Sequence, residues 1–478
     1  MSARSFPIGV SGQTHLADIK TLRTRMDGAV IAPEDQEYDV GRRIWNAMID
    51  RRPAVIAQAL SSADVVAAIR YARDHDLAVS VRGGGHNVAG HAVGDNSVMI
   101  DLSEMRTVRV DPVRSRAWVE GGARWRDVDA ATQAHGLATP GGLISDTGVA
   151  GLTLSGGIGW LRGRYGLCID NLVAADVVLA DGRLVHASAA ENEDLLWALK
   201  GGGGNFGVVT GFEFALHPVG PEVMFCAPVY PIEVAESAVS MWRDFLSDKN
   251  TEVSAIAEFS TVPQSPDFPE ESWGKRVVTL AAVYAGNAAD GEELLQPLRD
   301  LGNLVSDFSG RMNYCDVQQL FDALMPAGQY RCYWKSHYLS GLSDAAIADI
   351  VDGNRNPPSP NTLSSIWNFG GATAAVPAEA TAFGDRSMPY MFSIDSVWSA
   401  PEDDAVNISW TRDFWQHMQI HSDEGRVYLN FVGLGEEGND LVQHVFGDNY
   451  ARLVRIKKKY DPGNIFRFNQ NIPPATGP

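Results

Sequence analysis

Residues 78–87 read Ala78-Val79-Ser80-Val81-Arg82-Gly83-Gly84-Gly85-His86-Asn87. A short apolar strand over Ala78–Val81 runs directly into three glycines, a histidine and an asparagine. Glycine lets backbone approach a ligand closely and take positive φ, and successive N–H groups in such a loop form an anion-binding nest. Three more glycine-rich stretches fall in the first half of the chain: Gly141–Gly142, Gly148–Gly159 and Gly201–Gly207. A tight turn explains any one of them. Four together, in a chain with 47 glycines, point to a large phosphate-bearing ligand. His86, in mid-loop, reads on its own as a histidine bonded to a phosphate or a neighbouring carbonyl. His86 and His91 lack a third ligand at suitable spacing, so no metal is expected.

Outward from this loop, strands and helices alternate, but several connections are tight. Ser61 with Asp64 resembles a capping box, and Val65, Val66, Ile69 and Ala72 repeat at helical spacing behind it. Thr107–Val110 and Ala117–Glu120 read as a hairpin around Asp111-Pro112, and Val177–Leu179 with Leu184–Val185 as a second around Asp181-Gly182. Trp125–Ala134 reads as a helix closed by Gly136, and Asn192 as the cap of a helix ending at Lys200. The pattern is α+β, not a doubly wound parallel sheet. GxxxxGK[ST] is absent, and Gly202–Gly207 fits GxGxxG only between a helix and a following strand, the reverse of the dinucleotide-binding order.

His217-Pro218-Val219-Gly220-Pro221 breaks regular structure and marks a domain boundary. Beyond it aromatics rise: Tyr330, Tyr333, Trp334, Tyr338, Trp367, Phe369, Tyr390 and Trp398 suit a sheet with an aromatic-lined face. A helix with Trp410, Phe414 and Trp415, a strand over Val427–Val432 and a final helix over Tyr450–Lys459 follow. Lys457, Lys458 and Lys459 sit at the end of that helix, where its dipole favours cations.

Composition bounds the partners. The 478 residues are 45% hydrophobic and 21% charged, an ordinary globular balance, and 39 basic against 59 acidic residues give a net charge of −20. That excludes a nucleic-acid binder working through a basic surface and disfavours anionic membranes. The four cysteines (Cys168, Cys226, Cys315, Cys332) are scattered and read as reduced, mostly buried thiols. The first twenty residues hold no apolar core of signal-peptide length and no run reaches membrane-spanning length, so a cytoplasmic protein, monomer or homodimer, is expected.

The residues from Val81 to Asn87, with Gly90-His91 and Ile100-Asp101-Leu102, resemble the flavin-binding domain of the vanillyl-alcohol oxidase (PCMH-type) superfamily. More narrowly, the chain is similar to berberine-bridge-enzyme-like oxidases. Gly148-Val149-Ala150-Gly151, Gly156-Gly157-Ile158-Gly159, Arg164-Tyr165-Gly166 and Gly201–Val209 extend the likeness. So do Tyr460–Phe466 and Asn469-Gln470-Asn471-Ile472 near the far end. The resemblance implies a two-domain α+β fold: a flavin domain over 1–218 (core about 48–218), a substrate domain over 219–425 with an antiparallel sheet flanked by helices, and a segment over 426–478 that returns to the flavin domain.

The resemblance also implies FAD carried covalently on His86 through the flavin 8α carbon. Some members of the family carry a second, cysteinyl link; here Ile144 stands at that position, so one link is expected, not two. Around the cofactor the resemblance places Arg82, Gly83, Gly84, Gly85, Asn87, Gly90 and His91. It adds Gly141, Gly142, Thr147, Gly148, Gly151, Gly156 and Gly159, then Gly207, Val208, Val209, Asn430, Asn469 and Asn471. A family base matches Tyr428, which strand alternation would put on one face with Asn430; Tyr390 is a second pocket candidate. The expected activity is oxidation of a small or medium organic alcohol or amine, with dioxygen as acceptor and hydrogen peroxide as product. Two alternatives stay open: a dehydrogenase with another acceptor, and a flavoprotein that binds a metabolite without turnover.

Overall fold

The computed structural model describes residues 12–247, 252–384, 386–422, 426–436 and 438–475. Residues 1–11 of the N-terminal stretch and the boundary expected at 425 lie outside them. The described chain is an α+β arrangement of sheets. The strands Val55–Gln58, Val98–Asp101 and Val79–Arg82 pair in parallel, with Val30–Ile31 antiparallel at one edge. The helix Ser62–Asp74 covers them, burying Val65, Ala68, Ile69 and Ala72. Ser61 Oγ accepts from the Asp64 N–H, as a cap should. The Asp64 carboxylate does not complete the box, because it accepts instead from the N–H groups of Asp27 and Leu60 at 2.7 and 2.8 Å.

A second, antiparallel sheet orders Val108–Asp111, Arg116–Glu120, Val208–Ala215, Leu172–Val178 and Leu184–Ser188, and contains both expected hairpins. The third sheet is antiparallel and has nine strands among the described residues. Its centre is Arg276–Tyr284, Ser254–Thr261, Leu363–Asn368, Tyr390–Trp398 and Arg331–Leu339. One face is covered by the helices Ala235–Ser247, Asp344–Gly353 and Asp404–Met418 through Trp242, Ile347, Ile350, Phe414 and Met418. The other face, with Ile256, Trp367 and Met391, turns toward the glycine loops. Arg162 pins the two together. It is 1% exposed and donates to carbonyls of Gly159, Ala255 and Asn368 and to Asn368 Oδ1.

Three local expectations are corrected. Val427–Val432 is not a strand: the chain is extended at Tyr428 and makes one 3-10 turn over Leu429–Phe431, closed by Phe431 N–H on the Tyr428 carbonyl at 2.8 Å. It joins the Arg331–Leu339 strand through Tyr338 N–H to Arg426 O and Tyr428 N–H to Ser336 Oγ. Asn192 precedes the helix Glu193–Leu199 in the left-handed region, and its amide donates to His186 O rather than capping the helix. His217–Pro218 is a short strand paired with Leu137–Ala138, so the break comes after it.

Lys457 is fully buried, and its ammonium donates to Asp461 Oδ2, Asn205 O and Phe466 O at 2.8, 2.8 and 2.9 Å. Asp461 in turn accepts from the N–H groups of Ile465 and Phe466. The returning segment is therefore tied to the last glycine loop by a satisfied internal ion pair. Lys457→Met leaves Asp461 as an uncompensated buried charge and should cost about 3–5 kcal/mol. Lys459→Met, which loses an exposed pair with Asp194 and a contact with the Tyr460 ring, should cost less than about 1 kcal/mol. Thermal and urea unfolding of the two variants check the difference.

Candidate functional site

The glycine loops and the open face of the large sheet enclose a cavity of about 340 Å³. Its floor exists because two loops touch backbone to backbone. A Cβ on Gly84 would lie 2.3 Å from Gly148 N, and one on Gly148 2.3 Å from Gly84 N. No side chain fits at either position, and that contact brings His86 to Asp146. His86 Nε2 lies 3.3 Å from Asp146 Oδ2, while the ring stacks on Trp45 at 5.4 Å between centroids. Asp146 also holds Arg124 and, at 2.9 Å, Arg126. Burial works against its charge, but the His86 hydrogen bond and the Arg124 guanidinium outweigh it and bring the carboxyl down to about 2. A carboxylate only accepts, so His86 Nε2 carries the proton, and in the neutral ring the lone pair sits on Nδ1.

Of the expected cofactor residues, Gly83, Gly84, Gly85, His86, Asn87, His91, Thr147, Gly148 and Gly151 line this cavity, as do Gly207, Val208, Val209, Asn430 and Asn469. The others do not. Arg82 is drawn away by a two-pronged bond to Asp101 at 2.9 and 2.5 Å and braces neighbouring strands. Gly90 packs on Ile49, Gly141 under the Trp125 ring, Gly142 on Leu152, Gly156 against Phe383 and Gly159 against the Gly141 carbonyl. They shape the loops from behind. Asn471 also lies off the cavity wall, one residue beyond Gln470, which lines it. His91 lines the cavity, and burial, with the Arg51 charge, lowers its imidazole to about 4, so it is neutral near pH 7. Ile144 lines the cavity while Cys168 does not. Burial pushes the Cys168 thiol far above its ordinary range, and it bonds Thr153 Oγ1 at 3.2 Å. No group of three or more potential metal ligands occurs among the described residues.

One end of the cavity is closed by the returning segment. Asn205 donates to Gln470 O and accepts from the Ile472 N–H, which places Asn469 and Gln470 at the wall. Asn469 Oδ1 and both amide atoms of Gln470 are buried with no partner among the described residues.

The opposite end is roofed by the sheet, where Glu258, Leu363, Ser365, Trp367, Asp395 and Trp334 come from four strands. Tyr428 and Asn430 meet there, through the turn rather than through strand alternation. Tyr428 Oη accepts from Asn430 Nδ2 at 2.7 Å and from the Gly157 N–H at 3.1 Å. Burial raises the phenol to about 12 against those two bonds. Tyr390 is corrected. On its strand Ser393 and Asp395 share the cavity side, whereas Tyr390, Phe392 and Ile394 pack with Trp242 under the helices. Burial also raises both roof carboxyls, Glu258 to about 7 and Asp395 to about 8.

Known proteins match this architecture. Residues 53–188 match a family model described as an FAD binding domain, and 427–473 one described as berberine and berberine like. The FAD-linked oxidoreductase pgmH of Aspergillus terreus is 30% identical over 487 residues, covering 96% of this chain and 96% of pgmH. The chain belongs to the berberine-bridge-like FAD-linked oxidoreductases. (R)-6-hydroxynicotine oxidase of Paenarthrobacter nicotinovorans is 28% identical, covering 94% of this chain and 97% of that protein. The crystal structure of 6-hydroxy-D-nicotine oxidase from Arthrobacter nicotinovorans superimposes with a TM-score of 0.83 at 27% identity, over 94% of this chain and 98% of that one. This FAD-linked oxidoreductase has the two-domain fold of that family.

The residues present fit FAD. The orphaned polar atoms of Asn469 and Gln470 need a partner, and the backbone of Gly202–Gly204 beside them is open to the cavity. Gly151 also faces open space, where a Cβ would meet nothing within 4 Å. The sequence reading passed over Trp45, Asp146, Glu258 and Asp395. Asp146 lies two residues after Ile144, and each roof acid interrupts an apolar strand, as in Ser254-Ala255-Ile256-Ala257-Glu258-Phe259. Nothing in the sequence signals Trp45.

A raised carboxyl binds its proton more tightly in the folded than in the unfolded chain. Its contribution to stability is therefore full below about pH 4 and is lost as pH rises to about 8. Asp395→Asn removes that loss while Ser393 Oγ, which donates to Asp395 Oδ2 at 3.0 Å, keeps an acceptor. The melting temperature of the variant relative to the unsubstituted protein should be higher at pH 9 than at pH 5. An equal difference at both pH values would show an ordinary surface-like carboxyl.

Proposed function

We propose that the protein oxidises a small or medium organic alcohol or amine with FAD attached covalently to His86 and no cysteinyl link. The observation that carries this reading is His86 at the cavity wall, oriented by Asp146 and Trp45, with its Nδ1 lone pair available. Asp146, fixed as an anion by Arg124 and Arg126, stabilises a positive charge developing on the ring as that nitrogen forms a bond. The chemistry such a cofactor supplies is uptake of a hydride from substrate carbon and delivery of two electrons to dioxygen, giving hydrogen peroxide.

Tyr428 contacts the reacting O–H or N–H group and receives its proton. Two donors on its oxygen favour the phenolate, yet burial keeps the phenol protonated up to about 12. The competent form is a minority at neutral pH that grows as pH rises. Asn430 holds the oxygen in place, and Phe431, packed edge-on against Trp334, screens the site from water.

Anaerobic mixing of the purified flavoprotein with panels of alcohols, amines and sugars tests the reading: one class should bleach the flavin, and admission of air should restore it with release of peroxide. Bleaching without peroxide would make it a dehydrogenase, and no bleaching a binding protein. With the substrate that bleaches the flavin, Tyr428→Phe should slow flavin reduction by roughly 10²–10⁴-fold. The rise in rate from pH 7 to 10 should disappear in the same variant. A variant that keeps both rate and slope would move the base elsewhere.

A further inference from the structure

The roof carries two carboxyl groups that the proposed chemistry does not use. Glu258 stands opposite Ser365 in the sheet, and Asp395 lies between Leu363 and Trp334. Both open onto the cavity. Asp395 is 7% exposed, and its Oδ1 has no hydrogen-bond partner among the described residues. Oδ2 is held by Ser393, whose oxygen accepts from Trp367 Nε1 at 3.1 Å. A buried acid oxygen without a partner is costly unless something completes it, and Asp395 is part of the cavity lining.

The lining supplies no such partner. No lysine or arginine is among the described residues that line the cavity, and the chargeable groups besides the two acids are His86, His91 and Tyr428. Arg276, on the strand beside Glu258, is the nearest cation to act on it, but its guanidinium is spent on Asn354, Thr362 and Thr261. Cys332, behind Asp395 on the next strand, is a buried thiol. Aromatic rings line the cavity together with the acids. Trp334 packs on Trp45 at 5.5 Å and on Phe431 at 5.4 Å, and Phe431 on Trp367 at 5.8 Å. Indole faces attract cations. Carboxyls without a countercharge, walled by tryptophan, are complementary to a positive ligand and repel an anionic one.

We infer that the substrate is a cationic amine whose protonated nitrogen is seated by Glu258 and Asp395 within the Trp334–Trp367 aromatic wall. This rests on the reading of the cavity as the substrate chamber of a flavoenzyme. It selects the amine branch of that reading over neutral alcohols and sugars, and it excludes carboxylate or phosphate substrates. Burial, opposed at Glu258 by Arg276 and at Asp395 by the Ser393 hydrogen bond, raises Glu258 to about 7 and Asp395 to about 8, so the pair holds at least part of its protons near neutral pH. A bound cation favours the ionised pair, so binding releases protons and tightens as pH rises.

The test uses the flavin-loaded protein and permanent cations, which have no proton to lose: tetramethylammonium, N,N-dimethylpyrrolidinium and benzyltrimethylammonium, with benzyl alcohol as a neutral match. Binding is read from the perturbed flavin spectrum and by calorimetry in buffers of different ionisation enthalpy. At least one cation should bind at least about tenfold more tightly at pH 9 than at pH 6, the change one ionising group confers over a single unit. Protons should be released, and benzyl alcohol should show neither effect. Glu258→Gln and Asp395→Asn should each weaken the cation by tenfold or more and leave benzyl alcohol unchanged. Equal binding of cation and alcohol, no binding of any cation, or a pH-independent cation affinity overturns the inference, and the last needs no variant to fold. A protein that purifies without flavin would instead fail the earlier reading.

Discussion

A buried lysine needs acceptors, and Lys457 finds two close by in its own segment and a third 252 residues away. Its ammonium bonds Asn205 in the last glycine loop, Asp461 one helical turn on and Phe466 beyond the helix. Leaving any acceptor unmet in that dry environment costs more than the loop entropy saved by letting the tail go. The segment after Tyr450 is therefore held against the first domain across the whole of the large sheet. Asn205 passes the constraint on, taking the Ile472 N–H and giving a bond to Gln470 O. The wall that presents Asn469 and Gln470 to the cavity follows from this single internal charge.

At the other end, the close approach of Gly84 and Gly148 plays the corresponding part. It sets His86 against Asp146, and the arginines behind Asp146 make that carboxylate a permanent anion. The cavity thus has opposite characters at its two ends. Near His86 a carboxylate is fully compensated by Arg124 and Arg126. At the roof two carboxyls have no ion-pair partner among the described lining residues. The first arrangement suits a group that must bear charge at all times, and the second suits one that gains charge only when something positive enters.

Much of this was legible before the structure. The glycine loops and His86 announced a ligand-cradling backbone, because glycine clusters and a mid-loop histidine are local signals. The returning C-terminus was legible only through resemblance; no local pattern says where Lys457 will point, and the dipole argument accounts only for cations at the helix end. Tyr390 was misplaced because alternation predicts that neighbours face opposite sides without saying which side is covered, and here the covered side took Tyr390. Tyr428 and Asn430 did come together, for a reason the pattern did not contain: a single turn in place of a strand. Asp146 and Trp45 acquire meaning only from a contact between loops some sixty and forty residues from them in sequence, which no spacing rule reaches.

The central claim is that His86 is the attachment point of the cofactor, and one measurement addresses it directly. The purified protein is precipitated in acid, digested with trypsin and analysed by fragmentation mass spectrometry. Cleavage after Arg82 and Arg106 yields the peptide Gly83–Arg106, which holds both His86 and His91. The account predicts that this peptide carries the flavin mass, that fragment ions place it on His86, and that the supernatant is colourless. Flavin released into the supernatant, or found on His91 or Cys168, would contradict it.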